Sequence, residues 1–290
     1  MVRLTYSPFT GLNIANHDLA KTNPLTEKVI QDDDELRLVL KYEPIGVVGA
    51  ICPWNFPLVL SVVKICGSLL TGNAIIIKPS PFTPYSVLKF VEWVQPVLPS
   101  GVLQALNGDD KLGPWIVAHP GIPKISFTGS TATGKKIMQA GSKYLKKITL
   151  ELGGNDASVV CPDVDIAKVA PQVALGAFFH SGQVCVASKR IYVHQDIYDE
   201  FLKALVSVVQ SWKVGGISEE GVMLGPIQNE MQYNIVKGYF EDSIKRGLKF
   251  ALGGKITPSD GYVIQPAIID NPPDDAMVVT GEAFGKFFLN

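Results

Sequence analysis

Cys185, in the run Ser181-Gly182-Gln183-Val184-Cys185, and Glu151, in Glu151-Leu152-Gly153-Gly154, are the residue types that acyl chemistry needs. A thiol can add to a carbonyl carbon, and a carboxylate can take a proton from the water that later releases the acyl group. A lone cysteine is more often a small buried apolar residue. Gly182 and Gln183, however, are expected to leave a loop with little bulk around the sulfur, and a reactive thiol requires exposure. Glu151 closes the apolar run Ile148-Thr149-Leu150, where alone it would be a solvated strand end. At the carboxyl edge of a parallel strand it instead faces the crevice where such sheets bind ligands. Asn55, in Pro53-Trp54-Asn55-Phe56-Pro57, reads either as a turn residue or as an amide donor. In the second reading it faces a developing oxyanion together with the backbone N–H of Cys185. The expectation is that sulfur and carboxylate open into one cavity.

Phe127-Thr128-Gly129-Ser130-Thr131-Ala132-Thr133-Gly134 reads as a strand, a glycine turn and a helix start, whose N–H groups and dipole can receive a phosphate. It is not G-x-G-x-x-G and is weak evidence by itself. Lys78, ending the apolar run Ile75-Ile76-Ile77, can reach a ribose or phosphate, or can simply be solvated.

These residues must be positioned by a regular framework. Leu36, Leu38, Leu40, Ile45, Val47, Val48 and Ile51 suggest two strands joined near Glu43-Pro44, a hairpin preceded by the solvated turn Asp32-Asp33-Asp34-Glu35. Helix and strand then alternate: helix 57–71, strand 74–77, a helix from Thr83-Pro84, strand 102–106, helix 112–118, strand 124–127, helix 131–140 and strand 147–150. Pro57 in a first turn and Gly72 past an end are the expected punctuation. This order predicts an α/β chain with an open, doubly wound, mostly parallel sheet. After Gly153-Gly154, taken as the domain boundary, come strand 157–160, helix 165–179, strand 190–194 and an amphipathic helix 196–212. The expected division is an N-terminal remnant (1–33), a β-hairpin (34–51), a nucleotide-binding domain (52–153) and a catalytic domain (154–290).

A chain of 290 residues with 47% hydrophobic residues has room for one large or two medium cores. Net charge of −1 leaves no positive field for nucleic acid or an anionic membrane surface. The uncharged run 44–63 carries Pro44, Pro53, Pro57, Gly46 and Gly49, which argue against a membrane span. Cys52, Cys66, Cys161 and Cys185 form no C-x-x-C pair and follow no signal peptide, which predicts free thiols, no structural zinc or other metal, and a reducing, cytoplasmic setting. Only 18% of residues are charged and mean hydropathy is +0.20, so the chain is expected either to be buried in an oligomer, against a second copy or a partner chain, or to be part of a larger fold.

Pro53-Trp54-Asn55-Phe56-Pro57, Phe127-Thr128-Gly129-Ser130, Glu151-Leu152-Gly153-Gly154, Gly182-Gln183-Val184-Cys185 and Glu282-Ala283-Phe284-Gly285 together resemble the aldehyde dehydrogenase superfamily in order and spacing, from about Asp32 to Gly285. The resemblance implies a Rossmann-like nucleotide domain, a second α/β catalytic domain and a bridging hairpin. It also implies oxidation of a small aldehyde through a cysteine thioester, with hydrolysis favoured by the presence of Glu151. Cys185 matches the nucleophile, Glu151 the general base, Asn55 the oxyanion donor and Lys64 a lysine that helps carry protons away. Lys78 and Glu282 match residues that hold the cofactor riboses, Gly129 and Ser130 the pyrophosphate turn, and Phe284 a residue near the nicotinamide. Pro53, Trp54, Ser80 and Gly153 complete the implied cofactor contacts. Many NAD-preferring members carry a glutamate where this sequence has Pro81, so NAD or NADP both stay open.

After Gly285 the sequence reads Lys286-Phe287-Phe288-Leu289-Asn290 where the family continues with proline and a long segment. The expectation is therefore a chain shortened at both ends, with an alternative in which it is inactive and binds nucleotide or a full-length partner. An unrelated cysteine hydrolase would need His119, His180 or His194 as its base, and no cysteine-protease motif surrounds Cys185.

Overall fold

The computed structural model describes residues 18, 20–216, 218–256 and 261–289. Most of the expected N-terminal remnant, residues 1–17 and 19, lies outside the described residues. The chain divides into two compact units, the first ending at Leu152 and the second beginning at Gly153.

In the first unit, strands β1 (Lys28–Asp32) and β2 (Arg37–Leu40) form an antiparallel hairpin. Its turn is built by Asp33, whose Oδ1 accepts the N–H groups of Glu35 at 2.9 Å and Leu36 at 2.8 Å. This corrects the expected hairpin over 34–51. The acidic patch is the hairpin turn itself, and β3 (Val47–Ile51) belongs to another sheet, pairing in parallel with β4 (Ala74–Lys78) and, on its other side, with β6 (Lys124–Thr128).

With β5 (Leu103–Ala105) and β7 (Lys147–Glu151), these strands form a five-stranded parallel sheet in the order β5-β4-β3-β6-β7. The connecting helices are α1 (Pro57–Leu70), α2 (Tyr85–Val94), α3 (Leu112–Ala118) and α4 (Thr131–Ser142). A pleated strand sends alternate side chains to opposite faces, and the two faces here feed two cores. Val48, Ala50, Ile75 and Ile77 pack with Ile65 of α1 and Val87 and Val91 of α2. Val47, Ile51 and Ile76 pack instead with Ile116 of α3 and Ile137 of α4. Both faces of the sheet's centre are covered, which is why β3 and β4 read as near-continuous apolar runs. The chain builds outward from β3 through β4 to β5, then crosses to β6 and β7, so the strand order reverses between β3 and β6.

The second unit carries β8 (Asp156–Val160), α5 (Ile166–Phe178), β9 (Ser188–Val193), α6 (Tyr198–Gln210), α7 (Glu230–Lys245), β10 (Phe250–Leu252), β11 (Ala267–Ile269), α8 (Met277–Thr280) and β12 (Phe287–Leu289). Its sheet runs β10-β11-β12-β9-β8, parallel except for the β10–β11 pair. Ile268 faces one core with Phe178, Phe201 and Leu205, while Ala267 and Ile269 face another with Val236 and Phe240. No helix among the described residues is long and apolar enough to cross a membrane.

Candidate active site

In the first unit, the singled-out residues fall at the carboxyl ends of the parallel strands. Pro53, Trp54 and Asn55 follow β3, Lys78 closes β4 with Ser80 just beyond, Gly129 and Ser130 follow β6, and Glu151 closes β7. The β3 and β6 loops flank the point where strand order reverses, the place where open α/β sheets bind ligands.

Asn55 is buried, 7% exposed, between its two prolines. Trp54 turns its carbonyl to the Thr83 hydroxyl at 3.4 Å, fastening this loop to the one after β4. Gly129 donates its N–H to Glu151 O at 3.0 Å, and a methyl group there would lie 2.6 Å from the Phe127 ring. Ser130 caps α4, its Oγ accepting the Thr133 N–H at 3.3 Å. One of the N–H groups expected to meet a phosphate is thus already held by the serine side chain, while the helix dipole remains.

Lys64, on α1, donates to Ser126 Oγ of β6 at 3.1 Å. Burial pulls its ammonium below the ordinary lysine range, against the opposing pull of Cys52 and Glu151. Lys78 is 7% exposed and donates to Pro79 O at 3.3 Å. Burial lowers its pKa too, with Asp110, Cys52 and Asp109 pulling the other way. An ammonium carries three donors, so this buried one suits the hydroxyls of a ribose. Glu151 is exposed on the edge strand of its sheet, open to water.

In the second unit, Cys185 is half-buried and follows a strained bend. His180, Ser181 and Gly182 adopt φ of 53°, 59° and 74°, three successive left-handed residues of which only the last is a glycine. Side chains bolt the bend in place. Ser181 Oγ donates to Gly225 O at 2.9 Å, while the Gln183 amide donates to His180 O at 3.1 Å and accepts the Gln228 N–H at 2.9 Å. Gln183 is 2% exposed, so the sparse open loop expected from Gly182-Gln183 is in fact a bolted one. Gly182 lies against backbone: a methyl group there would sit 2.1 Å from Gly285 O.

The loop of Glu282, Ala283, Phe284 and Gly285 is held from α7, where Gln232 Nε2 donates to Ala283 O at 2.9 Å and Phe284 O at 3.1 Å. Phe284 itself has φ +49°. Glu282 rests on Gly153, where a methyl group would lie 1.9 Å from its Oε2. Its other oxygen, Oε1, is buried without a hydrogen-bond partner, although Lys189 Nζ stands 3.2 Å away in an ion pair. A buried carboxylate oxygen with spare lone pairs is a fit acceptor for sugar hydroxyls. The second unit therefore brings together Gly153, Cys185, Glu282 and Phe284. His194 stands at the far end of β9, separated from the cysteine loop by a six-residue strand, roughly 20 Å of extended chain, and its ring accepts the Asp196 N–H at 3.3 Å.

Sequence reasoning missed Lys189, Ser181 and Gln232, the side chains that hold the loops of the site in place. Lys189 is the second residue of β9, between Ser188 and Arg190, where a lysine ordinarily reads as solvated.

The chain matches the family model described as the aldehyde dehydrogenase family over residues 13–288. It is 44% identical to aldehyde dehydrogenase LUC3 from a Fusarium species over 263 residues, which are 90% of this chain and 55% of that protein. The fold matches the crystal structure of Mycobacterium tuberculosis aldehyde dehydrogenase complexed with NAD+, with TM-score 0.92, 31% identity, and coverage of 99% of this chain and 60% of that one. An E. coli NADP dependent enzyme matches with TM-score 0.89 and 31% identity, over 94% of this chain and 57% of that one. The chain spans about half the length of the curated relatives it matches.

Proposed function

The chain belongs to the aldehyde dehydrogenase family, and from that premise we propose that it takes part in oxidising an aldehyde to the carboxylic acid with NAD+ or NADP+. The observation that carries this reading is the cysteine loop. Non-glycine left-handed residues cost about 1–2 kcal/mol each, and such strain persists where the surroundings over-determine it, as they do around functional groups. Here the strain is held three residues before Cys185, whose carbonyl accepts from the lysine that pairs with Glu282.

In this mechanism the Cys185 sulfur adds to the aldehyde carbon, while the Asn55 amide and the Cys185 N–H hold the resulting oxyanion. Lys78 and Glu282 would hold the cofactor riboses and Gly129 and Ser130 its pyrophosphate, with Pro53, Trp54, Ser80 and Gly153 as further contacts and Phe284 near the nicotinamide. When bound, the nicotinamide supplies the hydride acceptor. The acyl group left on Cys185 is a thioester. Glu151 takes a proton from water, the water oxygen adds to the thioester carbon, and the acid departs as the sulfur leaves with a proton. Lys64, half-buried and lowered in pKa, passes protons away from the site. Both cofactors fit the reading: Pro81 puts no carboxylate against a 2′-phosphate, and NAD+ and NADP forms both occur among the structural relatives. The exposed apolar residues of the β1–β2 hairpin, Val29, Ile30, Leu38 and Leu40, support pairing with a second copy.

The purified protein is mixed with a short aliphatic aldehyde and NAD+ or NADP+, and reduced nicotinamide is followed by absorbance. Cys185→Ala is expected to abolish the signal, and Glu151→Gln to leave a single burst without steady turnover. Steady turnover by Cys185→Ala at the unmutated rate would refute the assignment.

A further inference from the structure

Lys189 has no place in the mechanism above, yet it is one of the few lysines in the chain withdrawn from water, at 9% exposure. Its ammonium donates to Cys185 O at 2.8 Å and stands 3.2 Å from Glu282 Oε1. A more distant carbonyl, Ala187 O, lies at 3.5 Å. The side chain also borders the small cleft formed with Gly182, Ala283, Phe284 and Gly285.

We infer that Lys189 is a positioning residue, one ammonium that fixes both the backbone of the cysteine nucleophile and the carboxylate that receives the cofactor sugar. The inference rests on the proposed roles of Cys185 and Glu282. Glu282 is confined on two sides, by Lys189 at Oε1 and by Gly153 at Oε2, where not even a methyl group fits. A half-buried carboxylate whose inner oxygen loses its cation is left uncompensated there and turns toward water. In doing so it leaves Gly153. The Cys185 carbonyl faces a parallel loss, because a buried acceptor stripped of its donor costs more than the bond was worth. The ion pair leaves Oε1 without a hydrogen bond, so sugar hydroxyls complete the arrangement that the lysine aligns.

Two measurements separate the halves of this role: the dissociation constant for NAD+ by titration calorimetry, and the rate of Cys185 alkylation by iodoacetamide, read by peptide mass spectrometry. Lys189→Gln keeps a donor for the Cys185 carbonyl and removes the charge facing Glu282. It is expected to weaken NAD+ binding about tenfold, the worth of one charged hydrogen bond, and to leave alkylation within roughly twofold of the unmutated rate. Lys189→Met loses both contacts and is expected to speed alkylation about fivefold as well, through local opening of the loop.

Because Lys189 acts on the cofactor through Glu282, adding Lys189→Gln to Glu282→Gln should weaken binding no more than about twofold further. Loss of a merely structural lysine would raise the dissociation constant and the alkylation rate together in every variant. Unchanged NAD+ binding in Lys189→Gln, or losses that multiply in the double variant, would overturn the inference. Failure of the unmutated protein to bind NAD+ or NADP+ would instead refute the cofactor reading, and with it the Glu282 half. The alkylation rates of Lys189→Met against Lys189→Gln still decide the Cys185 half, equal rates refuting it.

Discussion

Gly182→Ala should be far more damaging than its backbone angle implies, and Gly221→Ala supplies the comparison. The two glycines have nearly the same φ, +74° and +73°. At Gly221 a new methyl group meets nothing within 4 Å, so the cost is conformational alone, about 1 kcal/mol after the gain from a less flexible unfolded chain. At Gly182 the same methyl group lies 2.1 Å from Gly285 O and 2.7 Å from its carbonyl carbon. Those are backbone atoms and cannot rotate aside. Gly285 has no retreat either, because on its own side-chain position a methyl group would already be 2.4 Å from Val236 Cγ2. Overpacking against fixed atoms adds about 1–3 kcal/mol, giving about 2–4 kcal/mol for Gly182→Ala in total. Urea unfolding of both variants, followed by circular dichroism, measures the difference. Two variants destabilised within about 0.5 kcal/mol of each other would refute the close approach of the two loops. Cys185 alkylation gives a second reading, faster in Gly182→Ala and unchanged in Gly221→Ala.

Lys286 is fully buried, donates to Leu224 O at 3.4 Å, and is pushed by burial from 10.5 down to about 7. The folded chain then sheds this proton near pH 7 while the unfolded chain keeps it to about 10.5, so the unfolded state binds more protons in between and stability rises with pH, by at most about 1.4 kcal/mol per pH unit. Below pH 7 this group adds no further slope; Lys286→Met should flatten the rise and raise the urea midpoint at neutral pH, and an unchanged slope would count against the burial. Asp270 joins Tyr198 Oη at 2.5 Å and Lys249 Nζ at 2.5 Å. Burial would raise this carboxyl, but the two hydrogen bonds outweigh it and hold the group below its ordinary 3.8, so its contribution is present above that value and lost as pH falls through the lower folded one. Asp270→Asn should remove that part of the acid limb, and Tyr198→Phe should cost about 1 kcal/mol; a melting curve unchanged by either would contradict the linkage.

The first unit's sheet was legible because its central strands are buried on both faces and its helices start and stop at ordinary signals. Ala74–Lys78 is a short apolar run ending at Pro79, Lys124–Thr128 alternates Ile125 and Phe127 with polar residues between Pro123 and Gly129, and α1 opens on Pro57. The same double-sided burial caused the misplaced hairpin, since an apolar run such as Val47–Ile51 gives no sign of which sheet it enters. Beyond Trp212 the sequence reading assigned no elements, and the reason is visible in α7 and the strands that follow it. α7 buries Gln232 and Ser243 among its apolar residues, which blurs its face. β10, β11 and β12 have three residues each, too few to show a period of two.

The site divides along a similar line, according to what each residue touches. Cys185, Glu282 and Phe284 stand in short blocks whose residue types announce chemistry. Ser181, Gln183, Lys189 and Gln232 instead bond to backbone: Gly225 O, the Gln228 N–H, Cys185 O and the carbonyls of Ala283 and Phe284. A side chain that recognises backbone places no demand on the residue type of its partner, so no pairing pattern is written into the chain for sequence reasoning to find. Position is specified nonetheless. Each such bond fixes a carbonyl or N–H of a loop whose own residues, Gly182, Gly285 and the left-handed His180, Ser181 and Phe284, would otherwise relax. A cysteine loop built this way keeps its outward side chains free to vary, as with Val186 at 69% exposure, while the placement of its sulfur depends on buried polar residues that bond to its backbone.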